Sequence, residues 1–382
     1  MSESNHPRIW LSPPHMGGRE QQYIAEAFTS NWITSLGANV NGFEAQLEAF
    51  TQTKKAVALS SGTAALHLAL VCMNVKPGDI VLCQSFTFAA SAFPIQYLGA
   101  EPVFIDSEPT TWNMDPQLLR EALTHYRLKG KRVAAVIAVH LYGMPAQMHE
   151  LLEICRSFDV PLIEDAAEAL GSVYHGKACG SMGAAGVLSF NGNKIITTSG
   201  GGALISNDDA LITHARFLAT QAREPFPHYE HKETGYNYRM SNIVAGIGRG
   251  QMDVLQERVD KRRLLHAWYK ELLADEEAIH FSEEPSGCTS NRWLTTILLD
   301  EKKLHHKNNE YLRLYLEQFN IESRPLWKPM HLQPVFETAA SFINGVSATL
   351  FSKGLCLPSG SALTRDDLER ICRLIKQCIH GK

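Results

Sequence analysis

The segment VPLIEDAAEALG, residues 160–171, indicates the fold class. An apolar run of strand length, VPLI at 160–163, ends in the acids Glu164 and Asp165, and a helix-like run follows. Open α/β sheets bind their ligands at the carboxyl ends of buried strands. The acids are therefore candidate site residues. A simpler alternative stays open, in which one acid caps the following helix and the other is solvated.

Apolar runs of similar length precede this segment, and amphipathic stretches separate them. The runs are AVAL (56–59), DIVL (79–82), PVFI (102–105) and VAAVIAV (133–139). The helix-like stretches include DPQLLREALTHY from Asp115 and PAQMHELLEICRSF from Pro145. This alternation predicts an α/β fold with a mainly parallel sheet that is buried on both faces.

The pattern changes after Ser241. A periodic stretch to about Asp275 predicts one long helix. A strand at WLTTILL from Trp293, a helix from Glu301 to Phe319 and a last helix from Thr364 then predict a smaller C-terminal domain. We expect a large domain at residues 1–240, a connecting long helix at 241–275 and a small domain at 276–382.

Composition excludes several classes of protein. Of the 382 residues, 45% are hydrophobic, which is enough for a large core and a smaller one, and the net charge of −4 without a basic block argues against nucleic-acid binding. The N-terminus resembles no secretory signal, and the apolar runs are too short for a membrane span. The eight cysteines form no CxxC pair, so we expect no metal site and a cytoplasmic protein with reduced thiols.

The segment SSGTAAL, residues 60–66, follows one predicted strand and opens a helix. Gly62 permits a tight turn, and Thr63 and Ala64 would present free backbone amides at the helix N-terminus. Such an end attracts an anion, and a phosphate fits it. An ordinary helix cap remains the alternative.

The segment LSFNGNKIITTSGGG, residues 188–202, carries Lys194 after a strand and a polar turn. The glycines at 200–202 permit close backbone approach. A lysine on a loop is usually solvated, but a partly desolvated one becomes a nucleophile for a Schiff base. This segment alone does not decide between a solvated lysine and a nucleophilic one.

Together, SGTAAL, EDAAEALG and SFNGNK resemble the sugar aminotransferases of the DegT/DnrJ/EryC1/StrS family. The resemblance extends to SPPHMGG near the start, GYNYRMSNIVAGIGRGQ from Gly235 and LWKPMHLQPVF from Leu326, and so covers nearly the whole chain. It implies the aspartate-aminotransferase-like fold (fold type I), with a seven-stranded sheet in the large domain, and pyridoxal 5'-phosphate (PLP) as cofactor. It also implies a homodimer with shared active sites.

The resemblance assigns roles to single residues. Lys194 corresponds to the lysine that binds the cofactor and moves the proton, and Asp165 to the partner of the pyridine nitrogen. Thr63, Ala64 and Ser189 correspond to phosphate ligands. Phe88 in SFTFAAS corresponds to the aromatic that stacks on the cofactor ring, although an aromatic in an apolar helix is usually a core residue. Asn237 in GYNYR corresponds to a phosphate contact donated by the other subunit.

Glu168 departs from the commonest family pattern, which has Gln at this position. Gln can donate a hydrogen bond to the cofactor's phenolic oxygen, whereas an ionised Glu can only accept one. Three alternatives remain: Glu168 is protonated, the phenolic oxygen is protonated, or Glu168 faces the substrate.

Two clusters could hold a sugar nucleotide, which needs donors for its two phosphates. SRPLWKPMH offers Arg324, Trp327, Lys328 and His331, and the resemblance favours this segment. TQAREPFPHYEH offers Arg223, His228, Tyr229 and His231. Solvated loops are the alternative for both.

The resemblance predicts a PLP-dependent aminotransferase. It would move an amino group from glutamate to carbon 4 of a UDP-linked 2-acetamido-4-keto-6-deoxy sugar, for bacillosamine-type glycans. The alternatives are a dTDP-keto-6-deoxy sugar as substrate, or a PLP-dependent sugar dehydratase. Dehydratases of this fold have His where this chain has Lys194, which favours the transaminase.

Overall fold

The computed structural model describes residues 7–304 and 307–381. It contains one large sheet, two smaller sheets and twelve α-helices within these ranges. In chain order the strands are β1 (Lys55–Leu59), β2 (Ile80–Gln84), β3 (Glu101–Ile105), β4 (Val133–Val139), β5 (Leu162–Asp165), β6 (Val173–Tyr174), β7 (Lys177–Ala178), β8 (Ala185–Ser189), β9 (Gly202–Ser206), β10 (Ile279–Phe281), β11 (Cys288–Thr289), β12 (Thr295–Leu299), β13 (Arg324–Pro325), β14 (Ser341–Phe342) and β15 (Gly354–Leu357).

Helices cover both faces of the large sheet and pack on the smaller C-terminal sheet. They are α1 (Glu20–Thr29), α2 (Ala38–Thr51), α3 (Gly62–Cys72), α4 (Phe93–Tyr97), α5 (Pro116–Leu128), α6 (Met148–Phe158), α7 (Asp209–Ala219), α8 (Asn242–Met252), α9 (Leu255–Leu272), α10 (Asn309–Gln318), α11 (Val346–Lys353) and α12 (Arg365–His380). Asp115 caps α5 and Thr364 caps α12, so the predicted starts of these two helices are confirmed within one residue. No helix in the described ranges is both long and apolar enough to cross a membrane.

The large sheet has the order β1-β9-β8-β5-β4-β2-β3-β14, and within it β9 alone runs against the others. The mainly parallel α/β sheet is thus confirmed, and the five apolar runs predicted to be strands between residues 56 and 163 lie in it. It has eight strands rather than seven, because the two-residue β14 pairs in parallel with β3. The parallel order brings the carboxyl ends of β5 and β8 side by side at one edge.

The predicted single helix from Ser241 to Asp275 is wrong: it is two helices, α8 and α9. Val254 leaves the helical region at φ −115° and ψ 6°, and its N–H bonds to Gln251 three residues back. Neither Gly nor Pro marks this break in the sequence. The predicted helix from Glu301 to Phe319 is shorter, since Asn308 caps α10; residues 305–306 lie outside the described ranges.

The C-terminal sheet has the antiparallel order β10-β12-β15-β13 and packs under α9, α10 and α12. Ile9 from the N-terminal segment is part of this core, and its N–H bonds to the carbonyl of Asn320. We retain the division into 1–240, 241–275 and 276–382 as a proposal, with β14 and the segment around Ile9 crossing between the two larger parts.

Candidate active site

A cavity lies at the carboxyl ends of β5 and β8, against the start of α3. Seven of the residues singled out in the sequence line it: Thr63, Phe88, Asp165, Glu168, Ser189, Lys194 and Trp327. They come from segments up to 264 residues apart in sequence, which the parallel sheet brings to one edge. We call Asp165, Glu168 and Lys194 the floor of this cavity.

The anion-binding end of the cavity is the first turn of α3. The Ser61 side chain caps the helix by accepting the N–H of Ala64 at 3.0 Å. The expectation of a free amide at Ala64 is therefore wrong, and Ala64 is buried outside the cavity lining. Gly62 and Thr63 lie in the first helical turn, where N–H groups have no partner within the helix, and Ser189 lies beside them.

Gly202, at the start of β9, allows this turn to lie directly on the sheet. A Cβ atom at Gly202 would lie 2.3 Å from the carbonyl carbon of Ser61 and 2.4 Å from the nitrogen of Gly62. Backbone atoms cannot rotate away as a side chain can. A residue without a side chain is therefore required for the turn to keep its position.

Asp165 and Glu164 lie on opposite faces of β5, because successive side chains of a strand alternate. Asp165 faces the cavity, where its Oδ2 accepts a hydrogen bond from Ser91 Oγ at 2.6 Å and its Oδ1 accepts one from Ala167 N at 3.1 Å. Glu164 is fully buried and lies 2.9 Å from His140 Nε2. Its carboxylate also accepts three backbone N–H groups, from Gly180, Met182 and Gly183.

Lys194 follows β8 in a turn closed by its N–H and the carbonyl of Asn191. Its Nζ lies 3.4 Å from Glu168 Oε1 and 4.2 Å from the centre of the Trp293 ring. Only 12% of its side chain is exposed, so the loop lysine is not a solvated one. Glu168 Oε2 accepts the N–H of Tyr142 at 2.7 Å. Burial raises the pKa of the Glu168 carboxyl, and the charged Lys194 amine opposes that rise.

Arg262 of α9 holds the backbone around Lys194, a feature that the sequence analysis missed. Its buried guanidinium donates to the carbonyl of Trp293, to Ser12 Oγ at 3.0 Å and to the carbonyl of Lys194 at 3.4 Å. Ser12 Oγ and Trp293 Nε1 in turn both donate to the carbonyl of Asn193 at 2.7 Å. Burial, with the nearby Arg258, lowers the pKa of Arg262 to about 9. No sequence motif marks this contact, because its members are far apart in the chain.

Phe88 is not a core residue in a helix. It precedes a short 3₁₀ turn at Ala89–Ser91, and 53% of its surface is exposed. Its ring packs against that of Trp327, with the ring centres 5.3 Å apart, and both rings line the cavity. An exposed aromatic at the cavity wall is placed to cover a flat ligand.

A second cavity adjoins the first and shares Asn193, Trp293 and Trp327 with it. Arg324 and Lys328 line it, so we call Arg324, Trp327 and Lys328 the mouth. Arg324 also donates to Glu322 at 2.8 Å. His331 does not join them: its Nδ1 lies 2.7 Å from Ser85 Oγ, and it lines neither cavity.

The other basic cluster lies on the surface, outside the lining of both cavities. The Arg223 guanidinium lies 4.2 Å from the Tyr229 ring centre, His228 pairs with Glu230, and His231 contacts the carbonyl of Gln221. Asn237 is also exposed and outside the first cavity. Next to it, Ser60 N–H donates to the carbonyl of Tyr238, so this segment lies against the turn before α3.

The family model for DegT/DnrJ/EryC1/StrS aminotransferases matches residues 14–376. The chain belongs to this family. It is similar to the pyridoxal phosphate-dependent aminotransferase EpsN of Bacillus subtilis, with 53% identity over 98% of this chain and 97% of that protein. The GDP-perosamine synthase of Caulobacter vibrioides is 36% identical over 98% of this chain and all of that protein. The PLP form of a sugar aminotransferase, Spr1654 of Streptococcus pneumoniae, has a TM-score of 0.88 and 25% identity, covering 98% of this chain and 99% of that one.

The chain is therefore a PLP-dependent aminotransferase of fold type I, as the sequence predicts. The cavity fits the cofactor chemically. It combines an anion-binding helix end, a carboxylate at a strand end and a shielded amine, which match a phosphate, a protonated ring nitrogen and an aldehyde.

Proposed function

We propose that this aminotransferase transfers an amino group from glutamate to carbon 4 of a UDP-linked 2-acetamido-4-keto-6-deoxy sugar. The product is UDP-4-amino-4,6-dideoxy-N-acetylglucosamine, used for glycan or glycoprotein biosynthesis. The observation that carries the proposal is a cavity with Lys194 and Asp165 on its floor that adjoins a second cavity lined by the two cations of the mouth. We also propose a cytoplasmic location, in keeping with eight free thiols.

The floor residues have separate roles in this proposal. Bound PLP supplies an electron sink for the carbanion that forms when a proton leaves the amino-bearing carbon. Asp165 holds the proton on the ring nitrogen by charge pairing, and the hydrogen bonds from Ser91 and Ala167 fix its carboxylate. Lys194 would hold the cofactor through its amine, and the free amine would carry the proton during transamination. Glu168, beside Lys194, would face the phenolic oxygen.

Three groups at the helix end and one aromatic would hold the cofactor in place. Thr63 and Ser189 bind the phosphate, and Ala64 supports it through the capped first turn of α3 rather than through a free amide. Phe88 covers the ring from the exposed side. These contacts orient the ring so that its nitrogen meets Asp165.

The mouth would bind the nucleotide. Lys328 and Arg324 line the adjoining cavity with a partly exposed Trp327. Two cations suit a diphosphate, and an indole ring suits a sugar or base face. His331 supports the segment through Ser85 instead of contacting substrate, which revises its predicted role.

A substrate panel tests the assignment. The purified enzyme with glutamate is given the UDP-acetamido, GDP and dTDP 4-keto-6-deoxy sugars at equal concentrations, and products are identified by mass and NMR. The GDP sugar is included because a relative 36% identical is a GDP-perosamine synthase. We expect the highest specificity constant for the UDP compound and an equatorial amine. A higher value for either other sugar would contradict the substrate assignment, while an axial product would contradict only the stereochemistry.

We further propose a homodimer in which Asn237 completes the partner's phosphate site. Its exposure outside the cavity of its own chain supports this. Inactive Lys194→Ala and Asn237→Ala proteins, mixed and reassembled, should recover part of the activity, because one site of the mixed dimer carries neither change. An absence of recovery after demonstrated subunit exchange would rule out shared sites.

A further inference from the structure

The contact between Lys194 and Glu168 is an ion pair that is largely shielded from bulk solvent. Glu168 is 5% exposed and the Lys194 side chain 12%, and the indole ring of Trp293 covers the amine from another side. Among the described residues, Glu168 is the acid that pairs with this lysine. Asp165 instead accepts hydrogen bonds from Ser91 and Ala167.

The charge balance of this pair must change when Lys194 reacts. An ammonium group cannot attack a carbonyl carbon, so Lys194 has to lose a proton first. A neutral nitrogen would then leave the buried Glu168 carboxylate with no cation beside it and with the Asp165 carboxylate nearby. An unpaired buried charge is costly, so such a group takes up a proton instead.

We propose that Lys194 and Glu168 share one proton, which is on the lysine when its amine is free and on Glu168 when the lysine nitrogen is bound to cofactor. The N–H bond of the ammonium breaks and an O–H bond forms on the Glu168 carboxyl. The neutral amine then attacks the aldehyde carbon, and water leaves. This rests on the proposed role of Lys194 as the cofactor lysine.

The surroundings of Glu168 determine which of its oxygens can take the proton. Its Oε2 accepts the Tyr142 N–H, which leaves Oε1 facing the lysine as the proton acceptor. The other titratable groups that face it are Asp165, Cys356 and the phenol of Tyr142. Burial raises the pKa of the Cys356 thiol and of the Tyr142 phenol, so both stay neutral. A protonated Glu168 can also donate a hydrogen bond, as the Gln of many family members does.

Proton counting during cofactor loading tests the proposal. Cofactor-free protein is titrated with PLP by calorimetry in two buffers of different ionisation enthalpy at one pH. The buffer-dependent heat gives the protons released. Ionisations of PLP itself are common to all variants and cancel in the difference. Loading of Glu168→Gln with PLP should release about one proton per site more than loading of wild type. The variant has no carboxylate at residue 168 to take up the proton that Lys194 loses. Glu337→Gln, which changes an exposed carboxylate outside both cavities, should match wild type.

A second readout uses the wild-type protein alone. Its infrared difference spectrum on loading should gain the band of a protonated carboxylic acid, and this decides the matter if Glu168→Gln fails to load. Equal proton counts with borohydride trapping still on Lys194 would overturn the shared proton but leave the cofactor role intact. The absence of an acid band when wild type is loaded would likewise overturn the shared proton and leave the cofactor role of Lys194 intact. Trapping on a different lysine would overturn both.

Discussion

The floor and the mouth of the active site are built in different ways. The floor residues follow strand ends of the large sheet, and buried partners fix each of them: Ser91 holds Asp165, Tyr142 holds Glu168 and Arg262 holds the backbone of Lys194. The mouth comes from the two-residue strand β13 and the irregular segment after it, in which Arg324 and Lys328 are exposed. A rigid floor suits chemistry that depends on position, whereas an open mouth suits a ligand held by charge. Changes to the floor should therefore affect the rate, and changes to the mouth should affect binding.

The largest effect is expected at Lys194. Lys194→Ala removes both the covalent link and the proton carrier, so transamination should fall by at least about 10⁴-fold. Borohydride should trap PLP on the peptide containing Lys194 in wild type and nowhere in the variant. Lys328→Ala, a lysine of the mouth, is the matched control and should keep trapping intact. Full activity of Lys194→Ala would show that the reaction does not depend on the floor residues in the way proposed.

The neighbours Asp165 and Glu164 should separate rate from stability. Asp165→Asn should lower kcat by roughly 10²- to 10³-fold with little change in melting temperature, since a neutral amide does not hold the ring proton. Glu164→Gln should instead lower the free energy of unfolding by about 2 kcal/mol, because an amide N–H would face backbone N–H donors. Enzyme kinetics and chemical denaturation of both variants measure this. A near wild-type rate for Asp165→Asn would contradict its role.

The same contrast explains what the sequence could predict. The apolar runs and the caps Asp115 and Thr364 are local signals, so strands and these helix starts follow from them. The strand ends also predicted that Asp165 and Lys194 lie close together, because the carboxyl ends of parallel strands meet at one edge of the sheet. The break at Val254 has no Gly or Pro to mark it. The contacts of Arg262 join segments that are distant in the chain, which periodicity does not carry. The contact of His331 with Ser85 also joins distant segments, because the two residues are 246 positions apart in the chain.

An intermediate effect is expected at Gly202, under the anion-binding turn. Gly202→Ala would push the added Cβ against the backbone of Ser61 and Gly62, at a cost of about 1–3 kcal/mol in stability. The displaced turn should also weaken PLP binding by roughly 10-fold. Gly192→Ala is the control, since its Cβ meets open space. Denaturation and PLP titration of both proteins check the expectation, and equal behaviour of the two would mean that the turn tolerates displacement.

The smallest effects belong to the mouth. Arg324→Ala and Lys328→Ala should each raise KM for the nucleotide sugar by about 3- to 10-fold and leave kcat nearly unchanged, because each removes one charge contact made equally in the ground and transition states. Arg324 should have the smaller effect, since Glu322 already holds its guanidinium. Added salt should raise KM for wild type more than for the double variant, because exposed charge contacts are screened. KM for glutamate is the internal control, and it should stay unchanged if these cations bind the diphosphate. A fall in kcat comparable to that of Asp165→Asn would show instead that the mouth positions the reacting carbon, and the distinction between a catalytic floor and a binding mouth would be lost.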